Sequence, residues 1–337
     1  KFEDALMEKG LIPSDGQRFW NEGGSYAQAC ASAVAYGALA VRKRFPEASD
    51  KYLNKAIEST RKALAAYAPH GCYGEGPSYC KFATQKTDEM IALLKKHRGN
   101  DACLGSSPGY AKAQEWMRSM VGLTGRVFNF ADGGEIFLTG KFSEVPEPVF
   151  KIFDGVQPTA IIKNSGLFLA VKGGKANYSM AHMDAGSFVF ETMRNGDAVR
   201  WVEDLGPERV RRLEHAKIDV ENYSQKSSRW SIFRHGPFSH STFTIDGKLH
   251  DVDGFVPLSR SAGDTFGLVA DCSCLYDEFK SAKRYFSINE KSELLLRDVF
   301  LGQEKAYKYS FSFCTSANVR LEGGSAVLEK NGRKISI

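Results

Sequence analysis

The chain has 337 residues, of which 42% are hydrophobic and 25% charged, and its formal net charge is +5. That length supports two domains and a sizeable core, and the composition is that of an ordinary soluble globular protein. Basic and acidic residues are intermixed, and the densest basic runs, Arg42-Lys43-Arg44 and Arg209 to Arg212, are short. A nucleic-acid binder would concentrate such residues on one face, so no nucleic-acid partner is expected.

The opening KFEDALMEKG has neither an initiator methionine nor a signal-peptide pattern and reads as a trimmed segment. Helix hairpins are expected over the first part of the chain. Residues 27–44 carry small and apolar side chains at helical spacing and stop at Phe45-Pro46; 50–67, 84–96 and 111–121 continue the pattern. Repeating antiparallel pairs suggest a toroid or solenoid rather than a compact bundle. After Gly133-Gly134 the texture changes, and Pro146, Pro148 and Pro158 mark a linker.

Beyond residue 159, short strands are expected at 160–162, 166–172, 187–192, 230–234, 241–245, 293–301, 308–314 and 318–321. Asn195-Gly196, Asp246-Gly247 and Asn331-Gly332 act as turns. The reading is a helical domain over 1–140, a linker over 141–158 and an antiparallel β-sandwich over 159–337. No stretch of 18 apolar residues exists, so no membrane span is expected. Seven cysteines contain no CxxC pair, and an odd number leaves at least one thiol unpaired within the chain. Cys272 and Cys274 are expected on one face of a strand.

Within the β half, His182, Asp204 and His240 form a dispersed set of metal-ligand types. Two imidazoles and a carboxylate are a usual zinc ligand set, which a folded sheet would have to assemble. The alternative is a pair of core histidines bonded to backbone. No phosphate-binding, nucleotide-binding or GxSxG pattern occurs.

The run YAPHGCYGEGPSYCKF is similar to the Tyr-x-Glu-Gly-Pro-Ser-Tyr-Trp-x-Tyr motif of the heparinase II/III-like polysaccharide lyases. KGGKANYSMAHMDAGSFVFE, RWVEDLG and SQKSSRWSIFRHGPFSHSTFTIDGKLHDVDG resemble that family's sheet-domain blocks, and KGLIP, GALAV, AAYAPHG and FNFADGG follow in its order. The resemblance covers most of the chain. It implies an incomplete α/α toroid joined to an antiparallel β-sandwich, with a cleft that takes an anionic polysaccharide, and export to the bacterial periplasm or beyond. The implied chemistry is β-elimination on a uronic acid: a base takes the C5 proton, an acid assists departure of the C4 oxygen, and a neutraliser meets the carboxylate.

Carried over residue by residue, the resemblance makes Tyr79 the foremost catalytic candidate, followed by Tyr73, Glu75 and Gln28. It places Asn21 at the substrate and a structural zinc on His182, Asp204 and His240. Arg229 and Arg234 are further candidates for pairing with substrate carboxylates or sulfates, or else are ordinary ion-pair residues. Trp20, Trp116, Trp201 and Trp230 are sugar-stacking candidates whose default is core packing.

The pattern also departs from the family's. Met180 stands where the family has the outer histidine of a His-x-His pair, Ala31 replaces an asparagine, Phe82 a tyrosine and Cys80 a tryptophan. Two readings therefore stand: a polysaccharide lyase, or a member of the same fold that binds glycan without cleaving it. A hydrolase using the metal directly is a third, disfavoured because no carboxylate base is evident beside the ligands.

Overall fold

The computed structural model describes residues 1–136, 148–208, 213, 215–263, 266–289, 291–302 and 305–337. Two short helices, α1 (Phe2–Leu6) and α2 (Ile12–Ser14), joined by a π turn, lead to three long ones: α3 (Gly24–Val41), α4 (Pro46–Leu64) and α5 (Pro77–Arg98). Ala27, Ala31, Ala35 and Ala38 recur at helical spacing with no exposed surface. They give α3 a small-residue face, and α3 packs against both α4 and α5. Proline starts α4 and α5, where its missing N–H costs nothing, and Gly99 ends α5 in the left-handed conformation. The helix expected at 84–96 thus begins at Pro77, which puts Tyr79 in its first turn. A further helix, α6 (Ala113–Ser119), follows a 3-10 turn.

Fourteen strands follow among the described residues. Five form one antiparallel sheet in sequential order: β1 (Val149–Phe153), β2 (Thr159–Lys163), β3 (Leu167–Lys172), β4 (Phe188–Arg194) and β5 (Asp197–Val202). β1 lies within the proline-rich stretch read as linker. A four-stranded antiparallel sheet comprises β7 (Leu258–Arg260), β8 (Gly267–Asp271), β9 (Ser281–Ile288) and β10 (Leu294–Leu301). β6 (Phe243–Ile245) pairs with β11 (Tyr309–Phe311), and β12 (Asn318–Glu322), β13 (Ser325–Lys330) and β14 (Arg333–Ser336) form a meander.

The five-stranded sheet is buried on both faces, which is why β3 reads as an unbroken apolar run. Side chains alternate across it. Ile161, Phe168, Ala170 and Val189 join the helical core, whereas Ile162, Leu167, Leu169, Val171 and Phe190 meet Leu268, Ala270, Ala282 and Phe286 of the four-stranded sheet.

Buried polar groups tie the helical half to the sheet. Glu191 accepts from the Thr124 amide and hydroxyl, both at 2.8 Å, and from Arg200 Nε at 2.6 Å. Arg200 also donates to the Val127 and Arg126 carbonyls. Asp184 pairs with Lys172 at 2.6 Å and accepts from the Ala131 amide.

Two local expectations are corrected. Residues 230–234 are not a strand. Ser227 Oγ accepts the Arg229 amide and starts a 3-10 turn, Ser228–Ser231. Cys272 and Cys274 do not share a strand face, because Ser273–Leu275 is also a 3-10 turn that leaves Cys272 buried and Cys274 exposed.

Candidate functional site

The segment from Cys72 to Gly76 is drawn tightly between the two halves. A Cβ on Gly74 would lie 2.4 Å from the Tyr178 ring, and one on Gly76, at φ 89°, 2.8 Å from the Phe130 carbonyl. This tight course buries Tyr73 and Glu75 and sets Tyr79 one turn into α5, half-buried. Glu75 lies at the N-terminus of α3, accepting the Ser25 amide and, from the sheet side, the Ser179 hydroxyl at 3.1 Å. Such a helix end suits an anion. Burial nevertheless raises the Glu75 pKa, and the hydrogen bonds from Ser25 and Ser179 offset only part of that rise. Gly24, at φ 79°, is what lets the carboxylate approach, since a Cβ there would sit 2.0 Å from Oε1.

Gln28 and Tyr73 are fully committed behind this segment. Gln28 Nε2 donates to Gly24 O and to Tyr73 Oη, and Oε1 accepts from Tyr67 and Thr87. Both residues are buried. Tyr79 differs: among the described residues its hydroxyl makes no hydrogen bond. Burial raises its pKa, and the nearby charges of Asp132, Glu75 and Tyr223 add to the rise.

A second cluster, whose Asp132 adds to the Tyr79 pKa rise, is assembled from three segments. Asp132, in the loop after Phe130, takes its position from its amide bond to Met180 O. Its Oδ1 lies 2.8 Å from His182 Nε2 and 3.7 Å from His235 Nε2, and its Oδ2 3.8 Å from Arg229. The ligand atoms of Asp132, His182 and His235 all lie within 4.8 Å of one another, so they form a possible metal-binding group. Burial depresses both imidazoles, His182 well below its usual value and His235 to about 2, with neighbouring positive charges adding to the effect. Neutral imidazoles are the form that ligates a metal. Among the described residues the buried Nδ1 atoms of both rings have no hydrogen-bond partner. Asp132 is pushed up by burial, with Arg229 and His235 pulling it back.

Asp204 and His240 form a neighbouring pair. His240 Nδ1 lies 2.9 Å from Asp204 Oδ2, and Nε2 faces the Arg234 carbonyl at 3.1 Å. With an acceptor at each nitrogen, the ring suits the doubly protonated form. Burial opposes that charge, but Asp204 outweighs it and the pKa is raised. The His240 ring lies 5.3 Å from that of His182. Chain folding therefore sets the His240 ring beside that of His182, but His182 Nε2 turns toward Asp132 and His235. Among the described residues the ligand atoms that converge are those of Asp132, His182 and His235 rather than of His182, Asp204 and His240.

Asp132 and His235 lie inside the FNFADGG and SQKSSRWSIFRHGPFSH blocks without being singled out there, and Tyr223 carries no pattern. The RHGPFSH run around His235 was the available signal. Tyr223 accepts the Met180 amide at 2.8 Å, and the Arg229 guanidinium sits 4.7 Å from its ring centre. Arg229 is itself buried, donating to the Val220 and Ala181 carbonyls. Arg234 donates to Leu205 O and Pro207 O. Asn21 is exposed just before α3, and Trp116, Trp201, Trp20 and Trp230 are buried.

A fold of helices followed by antiparallel sheets is shared with solved heparinase structures. The crystal structure of heparinase III superposes with a TM-score of 0.69 at 15% identity, over 92% of this chain and 52% of its own. A heparan sulfate lyase from Pedobacter heparinus matches with a TM-score of 0.64 at 13% identity, over 92% and 51%. The chain thus spans about half the length of these structures, and the likeness is one of fold. No protein-family profile and no curated protein matches the chain.

Proposed function

We propose that the chain is the catalytic portion of a polysaccharide lyase that cleaves a uronate-containing anionic glycan by β-elimination, working as part of an α/α toroid and β-sandwich assembly. The observation that carries this reading is the half-buried phenol of Tyr79, which makes no hydrogen bond among the described residues and feels the charges of Asp132, Glu75 and Tyr223. Tyr79 is the acid that protonates the departing O4. Its raised pKa keeps the phenol protonated at neutral pH.

Tyr223 is the matching base. Its oxygen sits at the Met180 backbone amide, the point in the chain where the resembling family carries an imidazole. Burial raises the Tyr223 pKa, and the Arg229 guanidinium and the Met180 N–H, which favour the phenolate that must act as base, offset only part of that rise. In the step proposed, Tyr223 removes the C5 proton, the electron pair forms the C4=C5 bond, and the C4–O4 bond breaks as Tyr79 delivers its proton. The Asp132, His182 and His235 group faces the substrate carboxylate. A zinc ion held there would supply positive charge to the developing enolate. A zinc on His182, Asp204 and His240 would instead fasten the sheet, at the cost of the His240 proton and one of the ring's two present hydrogen bonds. Glycan substrates place the protein in the periplasm or outside the cell. Among the described residues no helix is long and apolar enough to cross a membrane.

The test is ultraviolet absorbance from unsaturated uronate ends across heparan sulfate, other glycosaminoglycans and alginate. Activity on at least one is expected, with Tyr79→Phe and Tyr223→Phe each lowering kcat by about 10²–10⁴-fold. Met180 favours a second reading, a non-cleaving glycan binder. Glycan affinity without any absorbance rise would establish that reading and overturn the first.

A further inference from the structure

Arg18 and Glu221 join the segment that leads into α3 to the segment that carries Tyr223. Arg18 lies on the 3-10 turn Arg18–Trp20, just ahead of the α3 N-terminus that receives Glu75. Glu221 lies two residues before Tyr223, on the sheet side. Arg18 Nη2 donates to Glu221 Oε1 at 2.6 Å, and Nη1 pairs with Oε2, making the fork-to-carboxylate arrangement by which arginine reads planar anions.

We propose that Arg18 is a substrate-recognition residue for the carboxylate or sulfate of the glycan, and that Glu221 fills its place until the glycan arrives. The proposal rests on the lyase reading above and names the residue that selects anionic sugars at that site. Three observations carry it. Both side chains are about half exposed, at 53% and 49%, and an exposed pair of this kind is weakly held and readily exchanged. The guanidinium is also positioned independently of Glu221, with the Tyr26 ring 5.3 Å away and Glu22 3.4 Å from Nε. The fork therefore stays aimed when Glu221 leaves. Finally, with Glu22 and Glu221 both present the guanidinium already faces two carboxylates. An incoming anion must displace Glu221 rather than join it, and so competes with an internal ligand of its own chemistry.

Affinity for heparan sulfate and alginate hexasaccharides would be measured by calorimetry in a Tyr79→Phe background, where turnover is blocked. Removing the competitor by Glu221→Gln should tighten binding several-fold. Arg18→Ala should weaken it roughly ten-fold, the size of one charge-assisted hydrogen bond, and flatten its salt dependence. Arg18→Lys should recover only part, because an ammonium lacks the fork. Adding Glu221→Gln to Arg18→Ala should change nothing further. Equal melting temperatures would show that every variant is folded. If the background binds glycan but Arg18→Ala leaves affinity unchanged, or Glu221→Gln weakens it, this inference falls and the lyase reading stands. If the background binds none of the glycans and the wild type cleaves none, both fall together.

Discussion

Glu75 shows how one side chain can be both well placed and electrostatically costly. The Ser25 amide and the Ser179 hydroxyl point at its carboxylate, yet burial dominates and its pKa lies above the ordinary carboxylate range. In the unfolded chain the carboxyl titrates near its usual ~4.3. Below that pH both states are protonated and the group contributes no difference. As pH rises through the raised folded value, the unfolded state ionises more readily, and the buried charge subtracts from stability. Glu75→Gln keeps an amide oxygen for Ser25 and Ser179 and removes the charge. Its melting temperature should therefore gain on the wild type more at mildly alkaline pH than in acid below the unfolded value. A gain independent of pH would show that the carboxylate carries no burial cost.

Elements were legible where periodicity was clean. Residues 24–41 repeat alanine at helical spacing, and β3 is apolar from Leu167 to Val171. β9 escaped because its inward face alternates Ala282, Arg284 and Phe286. Arg284 is buried through a two-bond pairing with Asp298, so a charge occupies a core position. Residues 230–234 looked like a strand because a Trp-Ser-Ile-Phe run mimics alternation, whereas the Ser227 cap that makes them a turn is a geometric fact. The site divides the same way. Tyr79 and His182 lay in recognisable motifs, but Asp132, Tyr223 and His235 sit on loops and meet only through tertiary folding.

The metal question belongs at this scale, since His182 borders two sets of partners. With zinc supplied, the wild type should bind one ion by elemental analysis, and both His182→Ala and Asp132→Ala should lose it. Retention in Asp132→Ala together with loss in Asp204→Ala would move the site to the Asp204 and His240 pair.

At the scale of the whole molecule, the helical half and one face of the five-stranded sheet share a core. Ile161, Phe168, Ala170 and Val189 of the five-stranded sheet pack with Trp116, Phe128 and Phe130 of the helical half. Glu191 and Arg200 add a buried ion pair whose remaining bonds go to the 124–127 segment. The fit is close: a Cβ on Gly122 would stand 2.3 Å from Glu191 Oε1. Halves joined only by a linker would melt separately, whereas halves that share apolar surface and buried charge must open together. Calorimetry should therefore show one transition with matching calorimetric and van't Hoff enthalpies. Glu191→Gln leaves Arg200 buried without its charge partner, a loss of about 3–5 kcal/mol for pairs of this kind. It should shift that single transition downward as a unit. A wild type that melts in two steps, or a variant in which only the sheet transition moves, would show that the halves are separate domains and that the site between them is assembled by docking rather than by folding.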